Sequence, residues 1–530
     1  MKRLLWLLSM CLISLLTACS GGGGGGTTPS LVVSPKTATL AAGTGNATFN
    51  ATLSNATGTI NWALSPNLGT LSATTGTSVT YTPPATVAST TSVTLTATSG
   101  SLSDTATITI NPPTTITVAG KVLKFNGDPI DGVSVQVRDS TGAKPLVLSN
   151  ASGDFSVSGV QTPYTLSVVP NAATGLLPVT YANVTRTDPK VVVTTLAAPP
   201  TFCTLANSTL NITLSAAVGA GNTGRVYFVG DGVSIAPLIS FRQSGALAPG
   251  ATNTSISITH DNSLCVPTIN GKALFIERDG GGTVVKVAID DVSVTTGNVT
   301  NKSLTVVPAT SRTISGSVAF PSGIASAQVV ASIKVNNSYV QLQPFASTTT
   351  ASPNYTLAVV DLPGIQYRVT AIGGAFPQQS WEHSDILNVA PGNLTGINLS
   401  LASLAATVGP VGAINTTTPT FSYTPVSGKN FYYTYMAGGA GDTWLGATTD
   451  TSITLPSGLP APARNAVGSA YAWYALNAIN VRNPGSNVAD AILDGRLVKH
   501  SFFYNLALYE PDQIASGSLN FTATNYNIIP

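Results

Sequence analysis

The stretch Trp381-Glu382-His383-Ser384-Asp385 contains the three residue types of a hydrolytic triad within five positions. A serine nucleophile, a histidine base and a carboxylate work together only when they converge from separate elements, and neighbours along a strand point to opposite faces. An ordinary polar loop therefore explains this stretch better than catalysis does. The alternative function is a hydrolase built around His383. Such a hydrolase would be an accessory or cryptic component of an extracytoplasmic enzyme or secretion system.

Other groups that could do chemistry are few. The remaining histidines, His260 and His500, lie in stretches that predict a strand end and a strand. Residues 126–131 (Asn-Gly-Asp-Pro-Ile-Asp) lack the spacing of an EF-hand, and a hairpin turn explains them better than calcium does. No GxSxG, HExxH or P-loop motif occurs. We therefore predict that the protein is not an enzyme and has no cofactor and no metal site.

The first residues predict export and a lipid anchor. Lys2 and Arg3 precede an apolar run at 4–16 that has the length of a secretory signal and is too short to span a bilayer. Residues 16–19 (Leu-Thr-Ala-Cys) resemble the lipobox of bacterial lipoproteins, in which the cysteine is diacylated and the signal is removed. The resemblance implies lipidation of Cys19 and an outer-membrane location, with an ordinary signal peptide as the alternative.

Two further cysteines, Cys203 and Cys265, remain in the mature chain. An even pair in an exported protein predicts a disulfide, which would close a loop of about 62 residues and contribute about 4 kcal/mol. Two buried free thiols are the alternative, because the sequence does not show whether the two residues are close in space.

The composition narrows the class of protein. Charged residues make up 8% of the chain and the formal net charge is +2, whereas phosphate binding needs clustered Lys and Arg. We therefore expect no nucleic-acid partner. The 530 residues suit four or five domains. The 50 Gly and 34 Pro, together with abundant Val and Thr, favour extracytoplasmic β-structure with many turns.

Apolar and polar residues alternate with period two through residues 31–112, as at 47–53, 92–97 and 105–110. This alternation predicts strands with one face in a core and one in water. With Trp62 at a third-strand position, the segment resembles the bacterial immunoglobulin-like repeats of surface proteins, without their usual disulfide.

Residues 113–198 carry a turn at 127–129, an alternating run at 133–137 and a second turn at Gly153 that precedes Phe155. They are similar to the carboxypeptidase regulatory-like module, a transthyretin-like sandwich often classed with carbohydrate-binding folds. In that fold Val133, Val135 and Val137 face one core, and Gly153 permits the turn that delivers Phe155 into it.

This pattern restarts at 314–318. Residues 294–306 and 389–401 also share their chemistry position by position. The repetition suggests related sandwiches in the third and fourth parts of the chain.

Residues 404–530 are rich in aromatic side chains and loosely resemble a fibronectin type III domain. Consecutive aromatic residues on a strand cannot all face inward, so we predict exposed rings at Tyr433 and Tyr474. Trp444 follows a glycine-rich stretch and is predicted to lie in a loop. Exposed flat rings stack on sugars and equally suit a protein partner. These three are the predicted ligand-binding residues, with packing between domains as the alternative.

The sequence thus predicts an all-β chain of tandem β-sandwich domains (immunoglobulin-like, transthyretin-like and fibronectin III-like), arranged in line behind a lipoprotein signal peptide. The predicted parts are a signal peptide (1–18), a lipidated cysteine with a glycine-rich tether (19–30), and first to fifth segments at 31–112, 113–198, 199–310, 311–403 and 404–530. The predicted function is a lipid-anchored, surface or periplasm-facing protein for binding, adhesion or spacing. Its predicted partners are the membrane, through the anchor, and a polysaccharide or a surface protein, with carbohydrate the favoured ligand.

Overall fold

The computed structural model describes residues 28–43, 45–84, 87, 89–112, 115–124, 126–193, 201–230, 242–262, 264–335, 338–341, 345–362, 365–374, 380–390, 392–438, 441–485, 487–494, 514–520 and 522–529. The predicted signal peptide, Cys19 and His500 lie outside these residues. Two compact units, Met1–Pro113 and Thr114–Pro530, divide the chain. The described elements are almost all strands, so the predicted all-β fold is confirmed. Within the described ranges, no helix is both long enough and apolar enough to cross a membrane.

The first unit is a sandwich of two four-stranded sheets with the orders β1-β3-β6-β5 and β2-β8-β7-β4. Its strands are β1 (Ser30–Ser34), β2 (Thr37–Ala41), β3 (Ala47–Ser54), β4 (Asn61–Ser65), β5 (Thr70–Leu71), β6 (Ser78–Thr82), β7 (Thr91–Ser99) and β8 (Leu102–Asn111). Alternate residues of β7 and β8 are buried, as the period-two pattern predicts. Phe49, Trp62 and Tyr81 fill the core, and the indole Nε1 of Trp62 donates to the carbonyl of Gly76 at 2.8 Å.

The second segment forms one three-stranded sheet, β13-β9-β16, and contributes five strands to a larger sheet. Its elements are β9 (Thr115–Lys124), β10 (Ser134–Asp139), β11 (Gly142–Ala143), β12 (Val147–Leu148), β13 (Asp154–Gln161), β14 (Tyr164–Val169), a 3-10 turn (Ala172–Thr174), β15 (Val179–Val184) and β16 (Lys190–Val193). Val133, Val135, Val137 and Phe155 are buried in one core, as predicted. Gly153 has φ +76°, and a Cβ there would lie 2.5 Å from the carbonyl oxygen of Val122, so this turn requires glycine.

The third segment is a sandwich of the sheets β20-β17-β23 and β19-β18-β21-β22-β24. Its strands are β17 (Ser208–Leu214), β18 (Thr223–Gly230), β19 (Arg242–Leu247), β20 (Asn253–Ile258), β21 (Thr268–Arg278), β22 (Val284–Thr295), β23 (Val299–Leu304) and β24 (Val307–Pro308).

The fourth segment contains the sheet β29-β25-β32 and contributes further strands to the large sheet. Its strands are β25 (Ser311–Ala319), β26 (Ser326–Val335), β27 (Ser338–Gln341), β28 (Ala346–Thr349), β29 (Asn354–Val360), β30 (Tyr367–Gly374), β31 (Trp381–Val389) and β32 (Leu399–Ser400).

The fifth segment pairs a small sheet, β33-β35-β38, with the remainder of the large sheet. Its elements are β33 (Thr407–Gly409), β34 (Gly412–Ile414), β35 (Thr420–Tyr423), β36 (Phe431–Gly438), β37 (Thr443–Thr448), β38 (Ser452–Thr454), β39 (Ala470–Val481), α1 (Val488–Ile492), β40 (Ile514–Leu519) and β41 (Thr524–Ile528).

The stretches 294–306 and 389–401, whose sequences are similar, occupy equivalent positions in the third and fourth segments. β23 runs parallel to β17, with Thr209 opposite Val299, and β32 runs parallel to β25, with Val318 opposite Leu399. In each case a strand at or near the end of the segment lies beside its first strand. β16 and β9 are paired in the same parallel way in the second segment.

One sheet joins three segments that are distant in sequence. The main path of this 16-stranded sheet is β11-β10-β14-β15-β37-β36-β39-β40-β31-β30-β26-β27. The fifth segment therefore lies between the second and the fourth, through a parallel pairing of β15 with β37 and an antiparallel pairing of β31 with β40. The expectation that these sandwiches follow one another in line is wrong, because strands at the edges of three segments pair with one another.

Candidate functional site

Cys203 and Cys265 form a disulfide, with their Cα atoms 5.8 Å apart. This confirms the predicted bond, and the alternative of two free thiols is wrong. The backbone N–H of Cys203 and of Phe202 both donate to the carbonyl of Asn262, so the bond ties the start of the third segment to the loop after β20.

Trp444 does not lie in a loop. It is on β37 and fully buried, with its ring centroid 5.4 Å from that of Phe421. Its indole Nε1 donates to Oγ1 of Thr180 at 2.8 Å. The prediction of an exposed ring is wrong because the ring packs in the core of the fifth segment, against Phe421 of the facing small sheet.

The two predicted tyrosines have different environments. Tyr433 is buried in an edge-to-face pair with Phe431, with centroids 5.2 Å apart, so its ring offers no face to a sugar. Tyr474 is half-buried and stacks on Tyr435 with centroids 5.9 Å apart. Packing between segments, the alternative explanation, accounts for Tyr433, and binding by Tyr474 stays a prediction.

His260 forms a hydrogen-bonded pair with a serine, but inside a core. Its Nε2 lies 2.8 Å from Oγ of Ser208. Its Nδ1 lies 3.1 Å from the carbonyl oxygen of Val266, at the position where a catalytic triad has a carboxylate. The Ser208 hydroxyl also donates to the carbonyl of Thr295. His260 and Ser208 are each 2% exposed. Because a nucleophile must reach its substrate, this buried pair connects strands and is not a candidate catalytic site.

The stretch around His383 lies on β31, not in a loop. The backbone of His383 is paired with Ile372 on one side and Gly517 on the other, and its side chain lies outside the described residues. Among the residues that the structure describes, no group of three or more His, Cys, Asp or Glu could hold a metal ion.

The neighbouring Glu382 makes a buried ion pair. Its carboxylate accepts a hydrogen bond of 2.5 Å from Nζ of Lys429, and both side chains are fully buried. Lys429 also donates to Oγ of Ser516 at 2.9 Å. Burial raises the pKa of Glu382 to about 7, although Lys429 pulls it down. The pair therefore fastens the fourth segment to the fifth at the junction of β31 and β40.

A cleft of about 370 Å³ opens where the second segment meets the fifth. This volume is at the lower end of the range of about 300–1,000 Å³ that holds small molecules. Polar side chains from both segments line it: Arg138, Thr165, Thr418, Thr454 and Ser457. Apolar side chains complete the lining: Ala182, Ile453, Leu455 and Pro456.

Each segment positions its part of this lining through a strand. Arg138 on β10 lies opposite Thr165 on β14, and β38 supplies Ile453 and Thr454. Arg138 and Thr165 thus lie in the large sheet and Ile453 and Thr454 in the small sheet β33-β35-β38. The β15–β37 pairing joins the two segments that carry them. A mixed surface of hydroxyls, one cation and apolar carbon can hold a small polar ligand in a defined orientation.

Arg138 contributes the charge of the cleft. Its Nη2 donates to Oγ of Ser457 at 2.8 Å and to the carbonyl of Ser457 at 3.3 Å. Its buried Nε has no hydrogen-bond partner. Sequence reasoning missed this site, because 319 residues separate Arg138 from Ser457 and no local motif marks either one.

No protein-family model matches the chain, and no curated protein matches it. Solved structures that match include the Bacillus anthracis TIE protein, with 8% identity over 72% of this chain and 76% of that chain and a TM-score of 0.18. They also include the pilus adhesin SpaC from Lactobacillus rhamnosus GG, with 10% identity over 65% of this chain and 54% of that chain and a TM-score of 0.17. A third is the major pilin subunit BcpA of Bacillus cereus, with 10% identity over 54% of this chain and 99% of that chain and a TM-score of 0.12. At such low identities and TM-scores, no functional conclusion follows from these similarities.

Proposed function

We propose that this chain is a lipid-anchored bacterial protein, facing the surface or the periplasm, that binds carbohydrate without catalysis. The observation that carries the proposal is the cleft between the second and fifth segments. Its threonine and serine hydroxyls can bond to sugar hydroxyls, and its apolar side chains, such as Ile453 and Leu455, can contact the carbon face of a sugar ring.

The anchor is proposed from the sequence. The lipobox-like residues 16–19 support lipidation at Cys19, and the glycines at 21–26 are proposed as the tether that follows it. Two or three acyl chains anchor a protein almost permanently, since each buried methylene contributes about 0.8 kcal/mol. The outer membrane is the proposed location, because serine follows Cys19.

The domain types are part of the same proposal. Trp62 in the core of a two-sheet sandwich supports an immunoglobulin-like first segment. The glycine turn at Gly153 and the buried Phe155 support a transthyretin-like second segment. A transthyretin-like fourth segment and a fibronectin III-like fifth segment complete the proposed arrangement.

Two experiments test the proposal. In the first, Cys19→Ser is expected to move the protein from the detergent phase to the aqueous phase, and a variant that stays with the detergent would contradict the lipid anchor. In the second, the full mature chain in detergent is passed over immobilised neutral and acidic polysaccharides. Retention on at least one of them is expected, and retention on none would overturn carbohydrate binding.

The same panel tests whether the protein is an enzyme. We expect no release of reducing sugar from any polysaccharide. Release by the wild-type chain that is lost in His383→Ala would overturn the proposal and favour the hydrolase alternative.

A further inference from the structure

The geometry of the cleft points to a ligand with a carboxylate: we infer that it selects glycans containing uronic acids, with Arg138 as the group that recognises the carboxylate. This inference rests on the proposed carbohydrate function and names the class of sugar that the same site binds.

Arg138 is a cation without a carboxylate partner in the described part of the chain. Other arginines have one: Arg186 pairs with Asp188 at 2.9 Å and Arg312 with Asp361 at 3.4 Å. Arg138 instead donates to the neutral Ser457. Its charge is therefore available to a ligand.

The one acidic neighbour in sequence is already neutralised. Asp139 pairs with Lys144 at 2.9 Å, and the Asp139 carboxylate is fully buried. Burial alone would raise the pKa of Asp139, but hydrogen bonds from the backbone of Gln161 and from Thr141 and Lys144 outweigh it and hold the pKa at about 2. The cleft itself has no acidic residue in its lining. Its local charge is therefore positive.

A guanidinium is well suited to a carboxylate. It carries a positive charge, and charge-assisted hydrogen bonds to a carboxylate are about twice as strong as neutral ones. Nη2 of Arg138 is already bonded to Ser457 at 2.8 Å and Nε is buried, so Nη1 is the donor that would meet a carboxylate oxygen. The guanidinium therefore has a defined orientation before a ligand binds.

The other polar groups of the cleft suit a sugar better than a simple anion. Thr165 and Thr418 bring hydroxyls from opposite segments. Thr454 is held by a hydrogen bond of 2.7 Å between its Oγ1 and that of Thr420. An acetate-sized anion would leave most of this lining unused, whereas a uronate ring can use both the cation and the hydroxyls.

The test compares each acidic glycan with its own neutral form. Oligomers of galacturonate, of alginate and of hyaluronan are titrated into the full mature chain, in parallel with the same oligomers after reduction of their carboxylates to alcohols. We expect at least one acidic oligomer to bind tenfold or more tightly than its reduced form. Arg138→Gln should remove this preference, and Arg138→Lys should restore only part of it.

Arg225→Gln is the matched control, because Arg225 is exposed and its Nη1 also bonds to a serine hydroxyl, that of Ser244, at 3.1 Å. It should keep the preference. Circular dichroism and thermal unfolding establish that the Arg138 variants are folded.

The outcomes separate the inference from the function on which it rests. Equal binding of acidic and reduced oligomers, unaffected by Arg138→Gln, would overturn the uronate inference and leave carbohydrate binding intact. Displacement of the oligomers by acetate at an equal carboxylate concentration would also overturn it, because the site would then recognise a simple anion. Binding of neither form, together with no retention on any neutral polysaccharide, would overturn the proposed function itself.

Discussion

The indole Nε1 of Trp444 donates a hydrogen bond of 2.8 Å to Oγ1 of Thr180, which is 264 residues earlier in the chain. Thr180 in turn shares a 2.8 Å hydrogen bond with Oγ of Ser167. The contact joins β37 to β15 in the middle of the large sheet and so fixes the fifth segment against the second, beside the cleft.

Thr180→Val should lower the free energy of unfolding by about 1–3 kcal/mol, because it leaves the buried N–H of Trp444 without an acceptor. Trp444→Phe removes the donor and also leaves a gap in the core, so its loss should be equal or larger. Urea unfolding followed by circular dichroism measures both variants and the double variant. Strictly additive losses would contradict coupling between the two residues.

The Glu382–Lys429 pair predicts strongly non-additive variants. Lys429→Met alone should lower the free energy of unfolding by about 3–5 kcal/mol, since it leaves the buried carboxylate of Glu382 without its cation. Glu382→Gln keeps a neutral side chain of similar size and should cost less. The double variant should recover most of this loss, because no buried charge remains unpaired. Chemical unfolding of the three variants checks this, and a double variant as unstable as the sum of the singles would contradict it.

The pH dependence follows from the raised pKa of Glu382. This pKa rises from 4.5 to about 7 because burial penalises the carboxylate, with Lys429 only partly offsetting the effect. The folded state therefore holds the proton more tightly than the unfolded state does. The stabilisation that comes from this tighter proton binding is complete below about pH 4.5. It is lost as the pH rises through about 7, and the free energy of unfolding falls by up to about 3 kcal/mol.

Glu382→Gln should remove this falling component from the curve of unfolding free energy against pH. Denaturant unfolding at a series of pH values between 4.5 and 7.5 measures the slope for wild type and variant. Identical slopes would contradict the raised pKa.

Removing the disulfide should destabilise the third segment. Cys203→Ser with Cys265→Ser opens a loop with a sequence separation of 62, and we expect a loss of about 2–5 kcal/mol. Thermal unfolding with and without reductant measures the effect: reductant should lower the wild-type midpoint and leave the double variant unchanged. A wild-type midpoint that is indifferent to full reduction would contradict this stabilising role.

The sequence predicted what depends on local pattern. Val135 and Phe155 are buried where the period-two alternation and the glycine turn place them. The pairing of Cys203 with Cys265 followed from counting cysteines in a chain predicted to be exported. These features depend on residues close in sequence or on a small number of possible partners.

The environment of Trp444 could not be predicted in this way. Its flanking glycines favoured a loop, whereas its ring packs in a core formed mostly by other strands of the fifth segment. The two sides of the Arg138 cleft come from segments that no sequence pattern brings together. Both features depend on contacts between strands that are not neighbours in sequence, and a single sequence carries no signal for such contacts.

Filling the cleft is the most direct test of whether the carbohydrate ligand binds there. Ala182 lines it and is half-buried, so Ala182→Phe should occupy the space of the ligand. Ala172→Phe is the control, because it adds the same ring at an exposed position of the 3-10 turn. Isothermal titration of each full mature chain with the polysaccharide that best retains the wild type gives the affinities. We predict at least a tenfold loss for Ala182→Phe and none for Ala172→Phe, and equal affinities of the two variants would contradict binding in this cleft.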